Sequence, residues 1–164
     1  MEAFEALKNR RSVRQYSDRP VGKELLERMI DAARLAATAR NEQPWEFVAV
    51  TGRAEIQALA EITDHGKFMA GAAACVAVFC RDTTYYLEDG SAATQNLMVA
   101  AAAMGIGSCW IAGDKKPYAA RIAGFLGAPD GMRLVSLVAL GYPAGPAVTP
   151  EKRELKSLLH WEKF

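Results

Sequence analysis

The 164-residue chain carries almost no net charge, only two histidines and three cysteines, and no apolar run of bilayer length. A formal charge of +1 argues against a general nucleic-acid surface, which needs an excess of lysine and arginine spread over one face. The longest mostly apolar stretches, Phe68–Cys80 and Leu97–Ile106, fall well short of the roughly 20 residues that cross a bilayer, so no membrane span is expected. Met1 to Asn9 mixes Glu2, Glu5 and Lys8 with apolar residues and lacks the continuous apolar core of a signal peptide, so it reads as mature protein. Cys75, Cys80 and Cys109 are odd in number, sit among apolar neighbours and lack metal-ligand spacing. They read as buried free thiols of a reducing compartment, the cytoplasm by default, and no metal site is expected. Neither His65 nor His160 has a partner for a triad, and no cysteine has an adjacent base, so a side-chain nucleophile is not expected either.

The chain does have ample material for one core, with 51% apolar and 24% charged residues, and no internal repeat or low-complexity segment. Phe4 and Leu7 mark a short helix, and Leu25, Leu26, Met29, Ile30, Ala33, Ala36 and Ala37 recur at helical spacing. Phe47–Thr51, Ala74–Cys80 and Arg133–Leu140 are apolar runs of strand length, and Ser108–Ile111 is extended. Helices are expected over Glu55–Ile62, Glu88–Met104 and Tyr118–Leu126. The helix from Glu88 is apolar or small on nearly every face, which implies burial on more than one side. Strands apolar throughout and separated by helices suggest a layered α/β or α+β sheet covered on both faces. The last segment, Gly145 to Phe164, carries Leu155, Leu158, Leu159, Trp161 and Phe164 among charges and cannot bury that surface alone. It is expected to pack over the domain or onto a second subunit.

The most distinctive motif is Asn9-Arg10-Arg11-Ser12-Val13-Arg14-Gln15-Tyr16. Three guanidinium groups, each a permanently protonated planar fork, and one hydroxyl could together satisfy the acceptors of a phosphate dianion. The same run also suits a solvated basic loop, and taken alone the residues leave both readings open.

Three further motifs follow in order: Asn41-Glu42-Gln43-Pro44-Trp45-Glu46-Phe47, Met104-Gly105-Ile106-Gly107-Ser108-Cys109-Trp110-Ile111-Ala112-Gly113, and Gly141-Tyr142-Pro143-Ala144 followed by Pro150-Glu151-Lys152-Arg153. With the arginine motif they resemble the nitroreductase family of flavin enzymes, from Phe4 to about Arg153. The resemblance implies an α+β fold, a three-layer α/β/α arrangement with a central, mostly antiparallel sheet, in a homodimer that binds FMN at the subunit interface. It implies hydride transfer from NAD(P)H through flavin N5 to a small electrophile such as a nitroaromatic or quinone, with the bound flavin rather than a side chain carrying the chemistry. Relatives that modify flavin or reductively remove halogen, and a nonenzymatic flavin carrier, are the alternatives. Residues 1–145 would form the FMN-binding domain and 146–164 its tail.

Residue by residue, the resemblance assigns Arg10, Arg11, Ser12 and Arg14 to the flavin phosphate and ribityl chain, with Arg153 closing on the same phosphate. Thr38, Ala39, Asn41 and Gln43 match a loop that meets the ring from the partner subunit. This chain reads Ala37-Thr38-Ala39 where the family commonly has a Pro-Ser-Ser type sequence, which puts the polar contact on Thr38, Asn41 and the backbone. Trp110, Ile111, Ala112 and Gly113 match the segment that lies along the flavin and offers backbone N–H groups to N5. Asp89 is the nearest counterpart of a polar central-helix side chain that approaches the ring in larger members. Only Arg81 to Leu87 separate the second strand from the central helix, leaving no room for the helical excursion that shapes the pocket in those members.

Overall fold

The computed structural model describes residues 2–164. Five helices, α1 (Ala3–Asn9), α2 (Lys23–Ala33), α3 (Arg53–Ile62), α4 (Tyr86–Ala103) and α5 (Ala119–Phe125), accompany four strands, β1 (Trp45–Val50), β2 (Ala74–Arg81), β3 (Gly107–Ala112) and β4 (Met132–Gly141). The strands form one sheet in the order β1-β2-β4-β3, and every neighbouring pair is antiparallel. This is the expected α+β architecture with helices on both faces.

The period-two alternation of a strand explains the two cores. On β2, Ala74, Val76, Val78 and Cys80 face α2 and α4, packing with Met29, Leu97 and Met98. The intervening Cys75, Ala77 and Phe79 face α3 and α5, packing with Ile56, Leu59 and Ile122. Burial on both sides is why β2 and β4 read as unbroken apolar runs. Within α4 only Glu88 and Gln95, two turns apart, are exposed, as expected of a helix buried on more than one side. A hydroxyl in that interior needs a partner, and Thr94 meets Ser136 of β4 at 2.8 Å.

The boundaries shift where side chains far apart in sequence intervene. The helical spacing that continues to Ala37 ends at Ala33, in a tight turn in which Leu35 and Ala36 donate to the carbonyls of Ala32 and Ala33. No glycine caps this end. Asn96 of α4 also reaches Ala32 O, at 3.3 Å, giving that carbonyl a second donor. β1 begins two residues earlier than expected, at Trp45, which pairs with Cys80.

β4 carries a bulge: Val78 pairs with Ser136 but Phe79 with Leu134, leaving Val135 unmatched. The extra residue puts Val135 on the α4 side next to Ser136. It fits because α4 has glycine beneath it. A Cβ at Gly90 would lie 2.6 Å from a Val135 methyl and 2.9 Å from Cys80 Sγ.

The tail leaves its apolar side chains uncovered. Every residue from Gly145 to Phe164 is exposed, Trp161 to 79%. No described helix is long and apolar enough to cross a membrane.

Candidate functional site

The arginine segment is seated by two glycines. Gly107 and Gly141 are cross-strand partners at one end of β3 and β4, so their missing side chains leave a flat patch on one face of the sheet. Val13 lies over the first and Tyr16 over the second: a Cβ at Gly107 would be 2.9 Å from Val13, and one at Gly141 2.8 Å from the Tyr16 ring. Backbone bonds complete the seat, from Val13 N to Ser108 O (2.9 Å), Ser17 N to Tyr142 O (2.8 Å) and Ala144 N to Gln15 O (3.0 Å). Tyr16 donates its hydroxyl to Val13 O, and burial pushes its pKa far above that of a free phenol. Gly107→Ala is expected to lift Val13 from β3 and speed hydrogen exchange of the Val13 amide; unchanged exchange would show that the glycine patch does not hold the segment.

The three arginines are not equivalent. Arg11 donates to Arg10 O (2.7 Å), to Lys8 O at the end of α1 and, at 3.4 Å, to Thr149 Oγ1. Its guanidinium is thus occupied in holding the last turn of α1 and the root of the tail, which leaves it less to offer a ligand. Arg10 and Arg14 form no ion pair with a carboxylate among the described residues. Arg14 lies over the Phe68 ring at 5.7 Å. Arg153 is exposed and donates to Ser157 O. It shares no hydrogen bond or hollow with Arg10 or Arg14 within the subunit.

Three hollows run along this segment. One of about 170 Å³ is bounded by Arg10, Gly107, Ser108 and Ala147, and one of about 270 Å³ by Ser12, Arg14, Gly145 and Val148. The third, about 240 Å³, brings Arg14 together with Trp110, Ile111, Ala112, Phe68 and His65. The structure therefore joins the arginine motif to the Trp110–Gly113 motif in one place. Each hollow is smaller than the ~300 Å³ or more typical of a complete ligand pocket.

Which backbone donors face outward follows from strand alternation. Ser108 presents its carbonyl to Val13 on the outer edge of β3, so Trp110 and Ala112 present their N–H groups on the same edge. Ala112 O accepts the Tyr118 hydroxyl, whose pKa burial raises to about 12. Gly113 points the other way, donating to Val135 O at 3.1 Å. The sheet itself requires glycine there: a Cβ would meet Leu134 Cγ at 2.7 Å and the Val135 backbone at 2.9 Å.

The 38–43 loop lies at the opposite edge of the sheet, leading into β1. Three strand spacings separate β1 from β3, a distance of about 14 Å between backbones. The loop has an unusual shape, with Arg40, Asn41 and Gln43 at φ of 54°, 58° and 46°. Left-handed backbone costs a residue with a side chain roughly 1–2 kcal/mol, so the loop must be held from outside. Asp89, 4% exposed, does this with both carboxylate oxygens. Oδ2 accepts from the Thr38 hydroxyl at 2.7 Å and Oδ1 from Ala39 N at 3.1 Å, while Thr38 Oγ1 accepts from Gln43 N at 3.1 Å. Arg81 braces the far end through Glu42 O at 2.9 Å. An acidic residue in the first turn of a helix ordinarily reads as a solvated, dipole-favoured position. Nothing in the spacing shows that Asp89 is buried against a loop fifty residues away.

Comparison with known proteins agrees with this fold. The profile of the nitroreductase family matches residues 7–79 and 65–142. An Archaeoglobus fulgidus protein provisionally named NADH dehydrogenase/NAD(P)H nitroreductase is 35% identical over 150 residues, covering 87% of this chain and 86% of its own. A crystal structure of a Bacteroides thetaiotaomicron protein with the same provisional name superposes with a TM-score of 0.93 at 28% identity, covering 99% of this chain and 98% of the other. The FMN-dependent nitroreductase of Clostridium difficile superposes with a TM-score of 0.90 at 26% identity, over 98% of this chain and 99% of its own. With the motifs seated on one sheet and its profile matched along most of its length, this chain belongs to the nitroreductase family.

Proposed function

We propose that the protein is an FMN-dependent oxidoreductase, acting as a homodimer on a nitroaromatic, quinone or related electrophile with NAD(P)H as donor. One observation carries the reading: Arg10 and Arg14, without carboxylate partners, border the same run of hollows as the outward backbone donors of Trp110 and Ala112. That donor set fits FMN. Two uncompensated guanidinium groups suit a dianionic phosphate, and Ser12 suits the polyol beside it. Trp110 and Ala112 offer neutral N–H groups where the ring would lie, supplying hydrogen bonds without a competing charge. The names borne by relatives, NAD(P)H nitroreductase and FMN-dependent nitroreductase, support the same cofactor and donor.

Bound FMN would supply the redox chemistry, taking a hydride from NAD(P)H and passing reducing equivalents to the acceptor. The chain's own part is to anchor the phosphate through Arg10 and Arg14, to hold the ring edge with the β3 backbone, and to exclude water by closing a second wall. That wall is missing from a single subunit. The loop assigned to the ring, Thr38 to Gln43, lies at the other sheet edge, so it reaches the arginine wall only in a second copy. The exposed apolar tail, with Val148, Leu155, Trp161 and Phe164, gives such a copy something to bury, and Arg153 would approach the phosphate from there. The connection from Asp82 to Tyr85 between β2 and α4 is short, so no excursion narrows the acceptor side.

Purified protein is expected to hold or take up FMN, to sediment as a dimer at micromolar concentration, and to have its flavin absorbance bleached by NADH or NADPH in stopped flow. Protein that stays colourless with added FMN would overturn the reading, and flavin that binds but is not reduced would reassign the protein as a carrier.

A further inference from the structure

We infer that Asp89 acts on the flavin site at one remove, as the buried anchor that presets the Thr38–Gln43 loop, with Thr38 as the joint between them; this rests on the FMN-dependent reading above. Asp89 has no ion-pair partner among the described residues, and its burial makes each hydrogen bond it accepts important. Both oxygens are engaged, one by the Thr38 hydroxyl and one by Ala39 N. Thr38 donates with its hydrogen and accepts Gln43 N on the same oxygen. One side chain thereby fixes both ends of a stretch containing three left-handed residues. A carboxylate so engaged is not aimed at a ligand; it sets the shape of the backbone that would meet one.

The chemistry selects informative substitutions. In Asp89→Asn the amide can accept only one of the two donors, and its NH₂ is set against the other. Thr38→Val keeps the shape but removes both the donor to Asp89 and the acceptor for Gln43 N. Thr38→Ser restores both. Leaving one such buried group unsatisfied weakens an equilibrium that requires the ordered loop by about tenfold, in a range of about 5- to 150-fold.

The test measures FMN and riboflavin affinity of the dimeric protein by flavin fluorescence. Asp89→Asn and Thr38→Val are each expected to weaken both ligands by about tenfold or more and by the same ratio, because the loop meets the ring and not the phosphate. Thr38→Ser is expected to stay within about threefold of the wild type, and Asp89→Asn with Thr38→Val to be no worse than the more damaging single change. Should Asp89→Asn fail to fold, Thr38→Val against Thr38→Ser decides alone. Wild-type affinity in Thr38→Val, or loss of FMN with riboflavin spared, would overturn the anchor role. Wild-type protein that binds neither flavin would instead sink the functional reading.

Discussion

Replacing Arg10 and Arg14 together by alanine is expected to lower FMN affinity by about a hundredfold, taking each charge-assisted contact as about 1.5 kcal/mol. Riboflavin affinity should hardly change, because it lacks the group these side chains meet. Both arginines stand at the hollows bordered by Gly107, Ser108 and Trp110, and neither has a carboxylate partner among the described residues. Removing them breaks no ion pair in the fold. Arg11→Ala should behave differently. Its donors are on Lys8 O, Arg10 O and Thr149, so the loss should appear in the stability of α1 and the tail root more than in flavin binding. Titration of each variant with FMN and riboflavin separates the cases. Equal loss of both flavins in the double variant would show that the phosphate is held elsewhere.

Gly113→Ala is expected to destabilise the fold by about 2–3 kcal/mol, the upper part of the range for overpacking. At about 2–4 °C per kcal/mol for a chain of this size, thermal unfolding should fall by about 5–10 °C. The added Cβ would lie 2.7 Å from Leu134 Cγ and 2.9 Å from the carbonyl group of Val135. The leucine can turn aside, but the backbone at the bulge cannot without breaking the bonds from Gly113 N and Asp114 N to Val135 O. Gly124→Ala is the contrast. Gly124 lies in α5 with nothing within 4 Å of an added Cβ, so alanine there should raise stability by up to about 1 kcal/mol. Calorimetry of the two variants checks the pair. A Gly113→Ala protein as stable as the wild type would mean that β4 can relax at Val135.

What was legible in the sequence is what depends on local pattern. β2 and β4 read as strands because they are apolar on both faces, and α4 reads as central because it is apolar or small on nearly every face. The arginine motif and the Trp110–Gly113 motif were both visible, as was the likeness of their order to a family. Features that depend on register were not. Gly107 and Gly141 are ordinary glycines until β3 pairs them across the sheet, and only then do they form a floor for Val13 and Tyr16. Gly113 reads as part of the segment matched to the flavin, and the neighbours that its missing side chain makes room for, Leu134 and the bulge at Val135, leave no mark in the periodicity. The helical spacing runs on past Ala33 to Ala37, and nothing in it marks the tight turn that ends α2. Asp89 stands where the resemblance places a polar central-helix side chain, but no local pattern shows that both its oxygens are taken by the chain's own loop.

On the proposed reading, one flavin lies between the arginine segment of one chain and the 38–43 loop of another. Heterodimers of an Arg10→Ala/Arg14→Ala chain with a Thr38→Val chain, isolated by two different tags, test it by FMN stoichiometry. At an FMN concentration where neither variant homodimer binds, the heterodimer should bind one FMN per two chains, because one of its sites takes both intact walls. Heterodimers that bind none would mean that each chain builds its site alone.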